Sequence, residues 1–196
     1  MKKIVLSTLN PGKIREFTVL QPYFELIPQS QFNIDAIEET GLTFVENSIL
    51  KARHASKLAN LPAIADDSGI CVDALNGAPG LYSARFGGDN ITREERNQKL
   101  LDLLKDIPDE KRTARLHCTL VYLNHFDDPN PIIAQGNLEG KILFEPNGTG
   151  GFGYEPIFYV PKYNTAMANI PMEEKLKISH RGIAMQKLIA TLVNHQ

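Results

Sequence analysis

The spacing of apolar residues changes several times along the chain. Lys3 to Ser7 (KIVLS) is a short continuous apolar run and predicts a buried strand. Ile14, Phe17 and Leu20 then recur at helical intervals after Asn10-Pro11. Asn is a favoured cap, and proline at the first helical position gives up no needed hydrogen bond. Phe24 to Ile27 predicts a second strand. Thr43 and Glu46 form a Thr-x-x-Glu capping pattern ahead of a helix with Val45, Ile49, Ala52 and Ala59 on one side. Pro62 to Ala65 and Ile70 to Leu75 predict two separate strands, with Asp66 and Asp67 leading into a Ser68-Gly69 turn. Asn76 to Gly80 is a turn cluster.

Thr92 and Glu95 repeat the capping pattern before a helix containing Leu100, Leu101 and Leu104. Arg115 to Leu123 predicts a long strand. Ile132 to Leu138 and Lys141 to Phe144 predict two more, joined by a turn near Gly140. Asn147 to Gly153 (NGTGGFG) is a glycine-dense loop, and Pro156 to Val160 a further strand. A final helix starts near Ser179, with Met185, Leu188, Ile189, Leu192 and Val193 on one face. Strands alternate with helices at first and follow one another later. That order predicts an α/β fold with a mixed sheet flanked by helices. The halves are expected to form two lobes with a cleft between them.

Composition narrows the classes. A chain of 196 residues has room for one sizeable domain, spanning 1–196. Lys plus Arg is 21 against 23 Asp plus Glu, which argues against a general nucleic-acid binder. Cys71 and Cys118 sit in apolar runs without CxxC spacing and read as small buried hydrophobes of a reducing compartment. The basic start Met1-Lys2-Lys3 is followed by too short an apolar run for a signal peptide. No stretch approaches the roughly 20 apolar residues of a membrane span. The expected location is the cytoplasm, with neither membrane nor nucleic acid as partner.

Four stretches carry candidate chemistry besides Asp66-Asp67-Ser68-Gly69. Magnesium takes one or two carboxylates from a protein and completes its shell with water and substrate phosphate. An acidic pair at a strand end suits it. A plain acidic turn fits the same residues, and both readings stay open at this point. Thr8-Leu9-Asn10-Pro11-Gly12-Lys13 takes a strand into a helix start with a lysine in its first turn, an anion-binding arrangement that is not a P-loop. An ordinary capped helix with a surface lysine is the other reading. Glu38-Glu39 precede a glycine turn, and Lys51 follows on the next helix, where it could face a phosphate; solvated acids beside a turn and a solvated surface lysine fit as well. Gly148 to Glu155 offers glycines for close backbone approach, Phe152 for stacking on a base and Glu155 as acceptor. A hairpin with one buried aromatic fits it as well. Lys175 and Ser179-His180-Arg181-Gly182 put cations near a helix N-terminus, where the dipole disfavours them; the donors of His180 and Arg181 suit the oxygens of an oxidised purine, and a surface cluster is the other reading. His54, His117, His125 and His195 show no ligand spacing.

Taken together, TLNPGK, EETGLTFVENSILKARHA, ADDSGICVDALNGAPGLYSAR, GTGGFGYEPIF and EEKLKISHRG resemble the non-canonical purine nucleoside triphosphate pyrophosphatases, the Ham1-like family. Five motifs in the right order cover nearly the whole chain. The resemblance implies Mg²⁺-dependent hydrolysis of ITP, dITP and XTP to the monophosphate and pyrophosphate, an elongated two-lobed α/β fold and a homodimer. It assigns Thr8, Asn10, Gly12 and Lys13 to the triphosphate; Lys51, which the residues alone offer either as a phosphate contact or as a solvated surface lysine, is expected to join them. Asp67 becomes the acid that binds metal and activates water, Glu38 the second metal acid and Ser68 a substrate contact. Phe152, Gly153, Tyr154 and Glu155 become the base-contacting loop, joined by Lys175, His180 and Arg181. Leu9 departs from the family's usual Gly, and Glu155 from its usual Asp. Two alternatives remain: a pyrophosphatase of modified pyrimidine nucleotides, and a nucleotide-binding module without turnover.

Overall fold

The computed structural model describes residues 1–88 and 90–194, so His195 lies outside the described residues. Among the described residues, seven strands form one mixed sheet in the order β2-β1-β3-β4-β5-β6-β7. They are β1 (Lys2–Ser7), β2 (Phe24–Pro28), β3 (Ala63–Val72), β4 (Thr113–Leu123), β5 (Ile132–Ile142), β6 (Phe158–Val160) and β7 (Thr165–Ala166). β1 pairs in parallel with β2 and β3, whereas β5–β6 and β6–β7 are antiparallel. The helices are α1 (Pro11–Glu16), α2 (Phe44–Ala59), α3 (Arg93–Leu103), α4 (Met172–Ile178) and α5 (His180–Asn194).

The chain divides into two compact units. Unit 1 comprises Met1–Asp67, Cys118–Gly136 and His180–Gln196, and unit 2 comprises Ser68–His117 and Asn137–Ser179. In unit 1, β1 buries Ile4, Val5 and Leu6 completely or nearly so, as a strand in parallel pairing on both sides requires. α2 lays small residues, Ser48, Ala52, Ala55 and Ser56, inward, which lets the helix approach the sheet closely. Thr43 caps it by accepting from the Glu46 N–H, and Asn60 ends it in the left-handed conformation. In unit 2, α3 carries a complete Thr92–Glu95 capping box and packs Leu100, Leu101 and Leu104 into a cluster with Ile142, Ile157 and Phe158.

Two predicted strand pairs are single strands. β3 runs unbroken through Asp66-Asp67-Ser68-Gly69, and β5 runs unbroken through Gly140. Each glycine marks a close approach of backbone, not a turn. A Cβ on Gly69 would lie 2.2 Å from the Gly80 carbonyl oxygen, and one on Gly140 would lie 2.3 Å from that of Tyr159. The acids tolerate the strand because cations meet them there. The predicted strand from Pro156 starts only at Phe158, after a 3₁₀ turn. The sequence reading also missed α4 and β7, both too short for a periodic signal.

Candidate active site

The acid–lysine cluster of unit 1 grows from β1, α1, α2, β3 and α5. Consecutive strand residues face opposite sides of a sheet, so Asp66 and Asp67 meet different partners. Asp66, 1% exposed, accepts from Lys13 Nζ on Oδ1 and from Arg181 Nε on Oδ2 at 2.6 Å. Arg181 Nη1 also donates to Glu16, and Cys118 Sγ lies 3.3 Å from Asp66 Oδ2. Burial works against charge on Asp66, but the Arg181 guanidinium and the Lys13 ammonium hold its carboxyl well below the usual carboxylate range. The same burial pushes the Cys118 thiol far up.

Asp67 behaves in the opposite way. Its Oδ1 accepts from Lys51 Nζ at 2.8 Å, and Lys51 also donates to Glu39 Oε1 at 2.7 Å and to the Asp66 carbonyl at 2.8 Å. Asp67 Oδ2 is buried and has no hydrogen-bond partner among the described residues. Burial raises the Asp67 carboxyl above its ordinary value against the pull of Lys51, and Glu39 adds to the rise. Lys51 is likewise held protonated: burial opposes its charge, but Asp67 and Glu39 outweigh that and raise its ammonium.

At the start of α1, the Asn10 side chain accepts from Gly12 N at 2.8 Å and Lys13 N at 3.3 Å. The Thr8 hydroxyl accepts from Asn10 N at 3.2 Å. Thr8 is half-buried and Leu9 is exposed, so the bulk of Leu9 is accommodated in solvent. Glu38 is exposed in the loop before α2, and it is the adjacent Glu39 that pairs with Lys51. His180 and Arg181 open α5 and are both buried.

Unit 2 holds the other predicted residues. Glu155 and Lys175 form a buried ion pair, their side chains 7% and 4% exposed. The Glu155 carboxylate tucks beneath Gly151, where a Cβ would lie 1.9 Å from Oε2. Gly151 has φ +70, so glycine is required twice over. Tyr154 is buried and its hydroxyl donates to the Ser83 carbonyl at 2.8 Å; burial pushes that phenol up. Phe152, Gly153 and Ser68 are half-buried. Arg93 donates to the Gly151 carbonyl at 3.2 Å, a tether to the loop that its sequence position on α3 did not advertise.

Glu16 and Cys118 are the site-lining residues that sequence reading passed over, and of the acidic pair Glu38-Glu39 it singled out Glu38, whereas Glu39 meets Lys51. Glu16 follows Lys13 by one helical turn, a signal that was present but unweighted. Cys118 gave no signal beyond its apolar run.

Among the described residues, no three or more His, Cys, Asp or Glu side chains group to hold a metal. Magnesium does not ask for three. The orphaned Asp67 Oδ2 and the neighbouring Glu39 are hard oxygen donors, and they fit a cation completed by water and phosphate. No helix among the described residues is long and apolar enough to cross a membrane.

A mixed α/β sheet that carries a half-committed carboxylate among lysines offers the donors that a hard cation and an anionic ligand would use. A family model described as the Ham1 family matches residues 4–191, and the chain belongs to that family. A dITP/XTP pyrophosphatase of Shigella flexneri is 54% identical over 196 residues, covering 99% of this chain and 100% of the relative. The dITP/XTP pyrophosphatase of Escherichia coli K12 is 53% identical with the same coverage. The solved structure of a HAM1 protein from Coxiella burnetii is 46% identical and superposes with a TM-score of 0.92, covering 99% of this chain and 100% of that one.

Proposed function

We infer that the chain is a nucleoside-triphosphate pyrophosphatase that hydrolyses non-canonical purine nucleoside triphosphates, dITP, ITP and XTP, to the monophosphate and pyrophosphate. Full-length identity above half to dITP/XTP pyrophosphatases supports the substrate class. The observation that carries the chemistry is Asp67: one oxygen on Lys51, the other buried and uncommitted, with a raised carboxyl.

Asp67 orients the attacking water and takes its proton, a role typically worth ~10²–10⁴-fold. Its raised carboxyl makes it a better proton acceptor than an exposed aspartate. Lys13 and Lys51 hold the phosphate oxygens, with Thr8, Asn10, Gly12 and Ser68 as further contacts. Asp67, with Glu38 or Glu39, would hold Mg²⁺, which when bound supplies Lewis-acid neutralisation of the charge that develops as the α–β anhydride breaks.

Phe152 stacks on the base, and Gly153, Tyr154, Glu155 and Lys175 shape its surroundings. Donors of His180 and Arg181 favour the 6-carbonyl of hypoxanthine and xanthine over the 6-amine of adenine. A site built on such hydrogen bonds discriminates by ~10⁴-fold or more. The enzyme acts as a homodimer in the cytoplasm.

Pyrophosphate release from dITP, ITP, XTP, GTP, ATP and modified pyrimidine triphosphates, with and without Mg²⁺, tests this reading. Turnover of dITP and XTP far above ATP, abolished by chelation, is expected. Equal turnover of ATP and dITP would sink it. Light scattering checks the dimer.

A further inference from the structure

Asp66 has no part in the chemistry described so far, yet it touches every cation of the cluster. Its carboxylate takes Lys13 on one oxygen and Arg181 on the other, and its carbonyl accepts from Lys51 at 2.8 Å. Both carboxylate oxygens thus face a cation, which makes the group a poor acceptor of a proton from water. Arg181 is itself fixed, because Glu16, 1% exposed, holds its Nη1. Glu16 and Lys13 lie one turn apart on α1, so the chain of contacts closes into a ring: Lys13, Asp66, Arg181, Glu16 and back along the helix.

A lysine has a flexible four-carbon stem whose rotamers must be frozen before its ammonium can meet a phosphate. A buried carboxylate that is itself anchored freezes them beforehand, and preorganisation of this kind lowers the cost of binding. We propose that Asp66 is a positioning residue: anchored by Arg181 and Glu16, it presets the Lys13 ammonium for the phosphate chain of the substrate. The inference rests on the functional reading above in giving Lys13 a phosphate to hold. It separates the two neighbouring aspartates by task, Asp67 acting on water and Asp66 acting through Lys13.

The test is a double-mutant cycle of wild type, Asp66→Asn, Lys13→Met and the double variant, read by KM and kcat for dITP. Misplacing a binding group by about 1 Å can cost up to ~100-fold. Asp66→Asn is expected to raise KM for dITP by tenfold or more with a smaller change in kcat. In the Lys13→Met background the same change is expected to cost less than about threefold further, since its target is gone. Losses that multiply in the double variant overturn the proposal, as does a kcat loss with KM unchanged. If Asp66→Asn does not fold, Asp66→Glu keeps the charge, moves the oxygens by one methylene and carries the same cycle. Glu16→Gln cuts the ring on the side away from Lys13; it is expected to lower the unfolding midpoint with a smaller KM rise than Asp66→Asn. Affinity for inorganic tripolyphosphate, read by calorimetry on the same proteins, separates the two levels of inference. Wild type that leaves dITP intact refutes the functional reading, whereas multiplying losses in tripolyphosphate affinity, or no binding at all, overturn the role of Asp66.

Discussion

Asp67 in unit 1 and Glu155 in unit 2 are both buried carboxylates paired with a lysine, and they are buried to different ends. Glu155 and Lys175 form a pair with side chains 7% and 4% exposed, tucked under a glycine that leaves no room for a Cβ. The pair ties the end of the 147–155 loop to α4. Asp67 shares its lysine with Glu39 and leaves one buried oxygen without a hydrogen bond among the described residues. A buried polar atom in that condition costs roughly 1–3 kcal/mol. A fold retains such a cost where the atom has work to do. Burial and pairing alone do not mark a catalytic acid; under the proposed function, what distinguishes Asp67 is its incomplete satisfaction.

The change that strains this comparison most is Asp67→Asn. It is expected to lower kcat for dITP by ~10²–10⁴-fold while the protein stays folded, as read by pyrophosphate release and by a thermal melt. Lys175→Met is expected to act the other way, on stability first. Breaking a buried pair by removing one partner costs about 3–5 kcal/mol, and urea unfolding measures it. A loss below about 1 kcal/mol would mean that the pair is not what holds the loop. Gly151→Ala is a smaller probe of the same loop. The left-handed φ alone costs about 1–2 kcal/mol, and the contact with Glu155 adds to it, so the unfolding midpoint should fall.

The smallest effect is in the pH dependence of stability, measured without metal. Asp66 is held low, so its contribution is present above the unfolded value, ordinarily about 3.9, and is lost as pH falls. Asp67 is raised, so its contribution is full below about 3.9 and is lost as pH rises through its folded value. Asp67→Asn removes only the second dependence. Urea unfolding from pH 4 to 7 should therefore show the variant gaining stability relative to wild type as pH rises. A constant difference would contradict the raised carboxyl.

Much of the fold was legible because it rests on local rules. The Asn10 and Thr92 caps and the apolar run of β1 formed as their residues predict. The failures share one cause. Gly69 and Gly140 were read as turn punctuation, but each sits mid-strand because a distant backbone passes too close for any side chain. That requirement is set by tertiary contact and leaves no mark on neighbouring residues. The site was legible as a set of motifs, not as a set of pairings. Nothing in the sequence around Asp66 tells that its two oxygens belong to Lys13 and Arg181, residues 53 and 115 positions away.

Under the proposed function, labour divides between an acid that works on water and a loop that reads the base. The most direct test is the ratio of kcat/KM for dITP to that for ATP in wild type, Asp67→Asn and Glu155→Gln. The account predicts that Asp67→Asn lowers both values together and leaves the ratio at the wild-type level, while Glu155→Gln lowers the ratio. An Asp67→Asn enzyme with near wild-type turnover, or one whose losses fall on dITP alone, would contradict it.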